Sequence, residues 1–264
     1  MKKSFFTICT FLLALNVNAN LDVNDVAVSY SNGSFFSKRH CSASFIRNNS
    51  KRYFVSAAHC FPKAPNENIK TYIYNSNSFD KISNSKVKVN LKKGYYFKRN
   101  GDTVFQEIPT SQDIKTKELE LSTSRPQKGD YISVMGYPSI KGYLVATKLE
   151  CEFIGSAVYN TPLVPTSVGR IAKCQTDLKS IAGISGAPVL DESGDILGTV
   201  SAEMQPSSDI VFEDDRFIYI VYNEISNELL ENRRIVRADY DFVMFNPEGF
   251  NYIEGRRIYS RNNE

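Results

Sequence analysis

The sequence predicts an all-β protein, a barrel or a sandwich. Three observations carry that prediction. Apolar runs are short and are broken at close intervals by turn residues. The chain holds 15 Tyr and 17 Phe but no Trp, a composition that suits half-buried strands. Only residues 223–234 have the spacing of an amphipathic helix, with Asn223 as cap and Ile225, Leu229 and Leu230 as its apolar stripe.

The first stretch is set apart from the fold. Lys2 and Lys3 precede an apolar run, residues 5–15, that is too short to span a bilayer. Val17, Asn18 and Ala19 fit a small-residue cleavage site, so residues 1–19 read as a signal peptide and export to the periplasm or the medium is expected. Of 32 basic residues, Lys2 and Lys3 leave with it, so 30 face 29 acidic ones. A balance that close calls for neither nucleic acid nor a stable membrane partner, and a monomer is expected.

Taken in order, residues 26–30 form a short strand. Residues 35–46 and 51–58 form a hairpin around the polar turn at residues 47–50. Residues 62–68 read as a loop and residues 72–74 as a short strand. Val87, Val89 and Leu91 alternate with polar residues, the period of a half-buried strand. Residues 94–102 are a basic, aromatic loop, and residues 103–108 the strand after it. Residues 109–126 are polar and lysine-rich, the connector between two halves. The second half opens at Lys128-Gly129-Asp130, with strands expected at residues 131–135, 143–154, 170–177, 189–190, 196–201 and 217–222. Residues 191–195 make a hairpin turn. The expected organisation is residues 20–126, residues 127–234, and an extension over residues 235–264 that packs back as a strand or wraps the surface.

Cys9 leaves with the signal, and Cys41, Cys60, Cys151 and Cys174 remain. An even count in an exported chain suggests disulfides. Of three pairings, Cys41–Cys60 with Cys151–Cys174 is the simplest; each closes a loop of about 20 residues, worth about 3 kcal/mol. No CxxC spacing and only two histidines argue against a metal site, and no cofactor is expected.

The chemistry converges on two stretches. Residues 54–60, FVSAAHC, end an apolar run with His59, a side chain suited to general base work. Residues 183–188, GISGAP, set Ser185 between glycines ahead of an apolar run. A serine needs a base within hydrogen-bond reach, and the base needs an acceptor that fixes its tautomer. Gly183 lets the backbone bend so that the amides of Gly183 and Ser185 aim at one spot. Such oxyanion donors are worth roughly 3–4 kcal/mol each. For the acceptor, Asp102 borders the apolar strand at residues 103–108. Asp113, in a polar run, is the weaker alternative.

These residues carry a family resemblance. FVSAAHC resembles the TAAHC box of the trypsin/chymotrypsin-like serine peptidases, and GISGAPVL resembles their GDSGGPV box. GDTVFQEI is similar to the D-I-A-x-L-x-L segment, CSASFI to CGGSLI, and KGDYISVMGYP to the opening of the second barrel. The resemblance implies two six-stranded antiparallel β-barrels with the site between them, a C-terminal helix at residues 223–234, and peptide-bond hydrolysis through an acyl-enzyme. It implies His59 as base, Asp102 as its orienter, Ser185 as nucleophile, Gly183 and Ser185 as oxyanion donors, and a Cys41–Cys60 bridge. Ser201, Ala202 and Glu203 would pair with an extended substrate. Lys179 would sit at the pocket base and favour acidic side chains unless it points to solvent. Glu203, near the pocket mouth, pulls the other way, and cleavage after Lys or Arg is not supported. One departure is Ile184, where the family has an Asp that pairs with a newly cleaved N-terminus; Ala187 also replaces a glycine. The alternative is an inactive homologue that binds proteins through the same cleft.

Overall fold

The computed structural model describes residues 21–32, 39–61, 66–74, 81–90, 95–96, 102–140, 143–159, 167–178, 180–204, 216–230, 241–244 and 253–256. The described residues are mostly strands, in two large sheets and one two-stranded sheet. The first contains β1 (Ala27–Asn32), β2 (Arg39–Asn48), β3 (Lys51–Ala57), β4 (Asn66–Tyr74), β5 (Lys81–Asn90), β6 (Tyr95–Tyr96) and β7 (Thr103–Ile108). Their order is β5-β4-β1-β2-β3-β7-β6, with every pairing antiparallel. A single turn of helix, α1 (Val23–Val26), precedes β1 and is capped by Asp22, whose carboxylate accepts from the Asn24 amide at 3.0 Å.

The β2–β3 hairpin turns at Asn49, which adopts φ 55°, a left-handed conformation that asparagine tolerates. The polar turn read from residues 47–50 is therefore tighter than its composition suggests, because Asn48 already pairs with Lys51. Strand β3 carries the apolar run Tyr53–Ala57 into a short 3₁₀ turn, Ala58–Cys60.

In the second half come β8 (Tyr131–Gly136), the small hairpin of β9 (Ser139–Ile140) and β10 (Tyr143–Leu144), then β11 (Thr147–Tyr159), β12 (Ser167–Gln175), β13 (Pro188–Leu190), β14 (Ile196–Met204) and β15 (Phe217–Glu224). Strands β12-β15-β14-β13-β8-β11 run in that order, and β11 pairs back onto β12, so six strands close into a barrel. The single turn α2 (Asn227–Leu230) follows β15. Strands β16 (Asp241–Met244) and β17 (Ile253–Arg256) pair with each other, and β16 touches β11 in parallel at Ser156↔Phe242.

Three large buried clusters build the core, and one of them holds the halves together. One fills the first sheet around Tyr30, Phe45, Phe54 and Phe61, and another fills the closed barrel around Leu149, Phe153, Val189 and Tyr222. The third spans both halves, with Ile46, Tyr53, Val55 and Phe105 packed against Met135, Tyr137, Leu190 and Ile196. Such shared burial fixes one half against the other and so fixes whatever lies between them.

Several expectations need correction. Among the described residues the first half holds seven strands where the resemblance implied six, β6 lying along the outer edge of β7 at Tyr95↔Phe105 and Tyr96↔Val104. Residues 66–68 belong to β4 and not to a loop: the ladder with β5 overrides the weak strand preference of Asn-Glu-Asn. The stretch at residues 143–154 breaks after Leu144 and resumes at Thr147. Asn223 does not cap a helix. It is the partner of Thr199 in the β14–β15 ladder and is 4% exposed, so helix begins only at Asn227. Residues 1–19, 231–234 and Lys179 lie outside the described residues.

Candidate active site

His59 sits in the 3₁₀ turn that ends β3, where a run of small residues lets the chain curl tightly. Asp102 comes just before β7, the neighbour of β3, and the Ala57↔Thr103 pairing brings the two together. Asp102 then holds the turn with three contacts. Its carbonyl accepts from the Ala58 amide at 2.8 Å, its Oδ1 accepts from the His59 amide at 2.7 Å, and its Oδ2 lies 2.5 Å from His59 Nδ1. The carboxylate is 3% exposed and the imidazole 12%.

A second donor reaches the same oxygen from the other half: Ser201 Oγ donates to Asp102 Oδ2 at 2.7 Å. Ser201 is free to turn inward because the β14–β15 register shifts between Val200 and Ala202, a bulge that re-aims one side chain. An ionised carboxylate facing Nδ1 makes that nitrogen the proton carrier and leaves Nε2 as the acceptor. Nε2 lies 3.9 Å from Cys60 Sγ.

Ser185 reaches this region through its backbone. The Ser42 amide donates to the Ser185 carbonyl at 2.8 Å, and Ser42 adjoins Cys41, which is bridged to Cys60 beside His59. Gly186 packs directly on β3. A Cβ there would lie 2.2 Å from Ser56 Oγ, 2.3 Å from the Ser42 carbonyl and 2.7 Å from the Ala57 amide. With φ +83° as well, only glycine fits. Ser185 is half-buried, and among the described residues no hydrogen bond joins its hydroxyl to His59. Apo geometries of base and nucleophile are often looser than those with substrate bound.

The amides on this loop divide into two groups. Those of Ile184, Gly186 and Ala187 donate to Ile181, Val200 and Ile184 carbonyls at 3.0, 2.7 and 2.8 Å. Among the described residues, the amides of Gly183 and Ser185 donate to no protein acceptor. Two uncommitted donors flanking one residue are suited to a developing negative charge. Gly183 has φ +102°, the left-handed conformation that the turn requires.

The other predicted residues divide similarly. Asp113 is 72% exposed at its side chain and pairs with Lys115 at 2.6 Å, far from the role of a buried orienter. Ala202 is half-buried and pairs with Val221 in the β14–β15 ladder. Glu203 accepts from the Ile181 amide at 3.1 Å and from Ser180 Oγ at 3.4 Å, so its carboxylate ties β14 to the segment ahead of Ser185. Both expected disulfides are present, Cys41–Cys60 and Cys151–Cys174, the latter across directly paired positions of β11 and β12. Cys41, His59 and Cys60 cluster closely enough for a metal, but the sulfurs are bonded to each other and offer no thiolate.

Sequence reasoning missed Ser42 and Ser56, and it read Ser201 as a substrate contact rather than as a donor to Asp102. All three are buried. The signal available was the recurrence of serine among core residues of β2 and β3, where apolar side chains would otherwise be expected.

Comparison with known proteins assigns the family. The model of the trypsin-like peptidase domain matches residues 41–198. The chain therefore belongs to the trypsin-like peptidase family, a family of serine protease hydrolases acting on proteins or peptides. No curated protein matches the sequence. Among solved structures it is similar to the active form of the Rv3671c protease from M. tuberculosis, at 15% identity and TM-score 0.46, covering 76% of this chain and 77% of that one. It is also similar to the thermostable serine protease AL20 from an extremophilic microorganism, at 14% identity and TM-score 0.45, covering 75% and 91%. A third is the tobacco etch virus protease complexed with product, at 13% identity and TM-score 0.47, covering 80% and 79%.

Proposed function

We propose that the chain is an exported serine endopeptidase, acting as a monomer, that cleaves peptide bonds through His59, Asp102 and Ser185. The observation that carries this reading is the pair of bonds from His59 to the Asp102 carboxylate, next to a glycine contact that seats the Ser185 loop on β3.

In the proposed reaction Ser185 Oγ attacks the substrate carbonyl while His59 Nε2 takes its proton. The Gly183 and Ser185 amides receive the oxyanion. Collapse to the acyl-enzyme expels the amine, which takes the proton from His59. Water, deprotonated by the same imidazole, then releases the acid and restores Ser185. Asp102, with Ser201 behind it, keeps Nδ1 protonated throughout. The substrate strand runs along Ser201, Ala202 and Glu203, where β14 continues past its last pairing with β13 at Thr199. Lys179 and Glu203 together set the preference for the side chain before the scissile bond. Two disulfides and the absence, among the described residues, of any helix long and apolar enough to cross a membrane are compatible with export.

The direct test is hydrolysis of an unfolded protein substrate such as casein by the wild type, Ser185→Ala and His59→Ala. Each variant is expected to keep its melting temperature within a few degrees and to lose about 10⁴-fold or more in rate. Retained hydrolysis in either one removes that residue from the mechanism.

A further inference from the structure

We infer that Ser42 is a positioning residue for the proposed reaction: its buried hydroxyl holds the Ser185 loop in the form that turns the Gly183 and Ser185 amides outward. The inference rests on the peptidase reading of this site and goes beyond it, because Ser42 touches neither substrate nor reacting atom.

The carbonyls of the loop show how the hold works. The Ala182 carbonyl accepts from the Ser139 amide at 2.7 Å and the Ile184 carbonyl from the Ala187 amide at 2.8 Å. In a trans peptide the N–H lies opposite the C=O. Anchoring these two carbonyls therefore aims the Gly183 and Ser185 N–H groups the other way. The Gly183 carbonyl between them accepts from Ser42 Oγ at 3.0 Å, and the Ser185 carbonyl accepts from the Ser42 amide at 2.8 Å. Four successive carbonyls are thus held, and the Ser42 hydroxyl is the one side chain among the four donors.

Ser42 is itself pinned on all sides. Its hydroxyl accepts from the Tyr137 amide at 2.9 Å while donating to Gly183, which fixes the direction of its single proton. Its carbonyl accepts from Ser56 Oγ at 2.8 Å, and Ser56 Oγ lies 2.7 Å from the Tyr30 hydroxyl. Because Ser56 spends its proton on Ser42, Tyr30 is the donor in that contact. Burial pushes the Tyr30 phenol far up, so it stays a donor at any working pH. Ser42, Ser56 and Tyr30 are all 0% exposed. One side chain of the first half thus ties the Gly183 turn to β8's end in the second half. No charge pair is involved: Ile184, next in the loop, is buried among apolar neighbours.

The experiment compares steady-state kinetics of the wild type, Ser42→Ala and Ser44→Ala on one peptide substrate, with affinity for a peptide boronic acid that mimics the tetrahedral adduct. Ser44 is the control, a buried serine two residues along β2 whose hydroxyl has no hydrogen-bond partner among the described residues. Ser42→Ala is expected to lower kcat by roughly 10- to 100-fold, less than loss of a whole oxyanion donor, with KM within about 3-fold. Boronate affinity is expected to fall in parallel with kcat/KM. Ser44→Ala is expected to keep kcat and boronate affinity within about 2-fold of wild type. A smaller folded fraction also lowers apparent kcat at constant KM but leaves the boronate affinity of the folded molecules unchanged, so kcat is taken per folded molecule and the fall in boronate affinity separates positioning from a packing defect. If Ser42→Ala does not fold, Ser56→Ala decides: a several-fold fall in kcat at constant KM supports the proposal. Unchanged kcat in a folded Ser42→Ala, or in Ser56→Ala where that variant decides, overturns it. An inactive wild type instead sinks the peptidase reading itself.

Discussion

The two sides of the candidate site are held by different means. On the His59 side, side chains do the holding: the Asp102 carboxylate takes the His59 ring, the His59 amide and the Ser201 hydroxyl. On the Ser185 side the main chain does it, through carbonyls and amides from Ala182 to Ala187 and a glycine pressed against β3. The difference teaches where sensitivity to mutation should lie. A side-chain hold fails when one carboxylate is altered. A main-chain hold fails through shape, when a Cβ is added or a donor beneath it is removed.

The largest effect expected from breaking the first hold is that of Asp102→Asn. The amide preserves shape but presents an N–H or a neutral oxygen to Nδ1, which frees the imidazole to take the wrong tautomer. Activity should fall by about 10⁴-fold with little change in melting temperature. A fall below about 10-fold would mean that His59 is not working through Asp102.

Breaking the second hold should damage folding as much as rate. Gly186→Ala puts a methyl 2.2 Å from Ser56 Oγ and 2.3 Å from a backbone oxygen, at φ +83°. A loss of about 3 kcal/mol or more in stability is expected, read by denaturant titration, together with loss of activity. A variant as stable as wild type would show that the loop does not pack on β3 as described.

The disulfides sharpen the comparison. Cys41–Cys60 and Cys151–Cys174 span similar separations, 19 and 23 residues, so replacing either pair with alanine should cost about 3 kcal/mol. Only the first adjoins both sides of the site. Its loss should also lower kcat per folded molecule, whereas loss of Cys151–Cys174, buried in the closed barrel, should not. Equal kinetic effects would erase the distinction.

The smallest effect is the most local. Glu203→Gln keeps an acceptor for the Ile181 amide but removes a charge beside the segment before Ser185. Peptide-library profiling should show a shift of a few-fold toward acidic side chains before the cleaved bond, with overall rate little changed.

The same contrast explains what could be read from the sequence. Residues whose side chains do the work announce themselves: one histidine after an apolar run, one aspartate bordering a strand, one serine between glycines. Strands with clear alternation or β-branched runs, such as Thr103–Ile108 and Phe217–Glu224, were legible, and the two disulfides are the simplest of the three pairings the cysteine count left open, one of them also implied by the family resemblance. What was not legible depends on ladders and packing. Asn66–Tyr74 is a strand because β5 pairs with it, and Asn223 is a strand residue because Thr199 faces it. The bonded pair of Ser42 and Ser56 has no motif, since a serine's partners are set by the fold around it.

The central claim is that Ser185 becomes nucleophilic because His59 is beside it. Reaction with a fluorophosphonate, followed by peptide mass mapping, tests this most directly. A single adduct on Ser185 in the wild type, absent from His59→Ala, is the predicted result. No adduct, an adduct on another serine, or equal labelling in His59→Ala contradicts it.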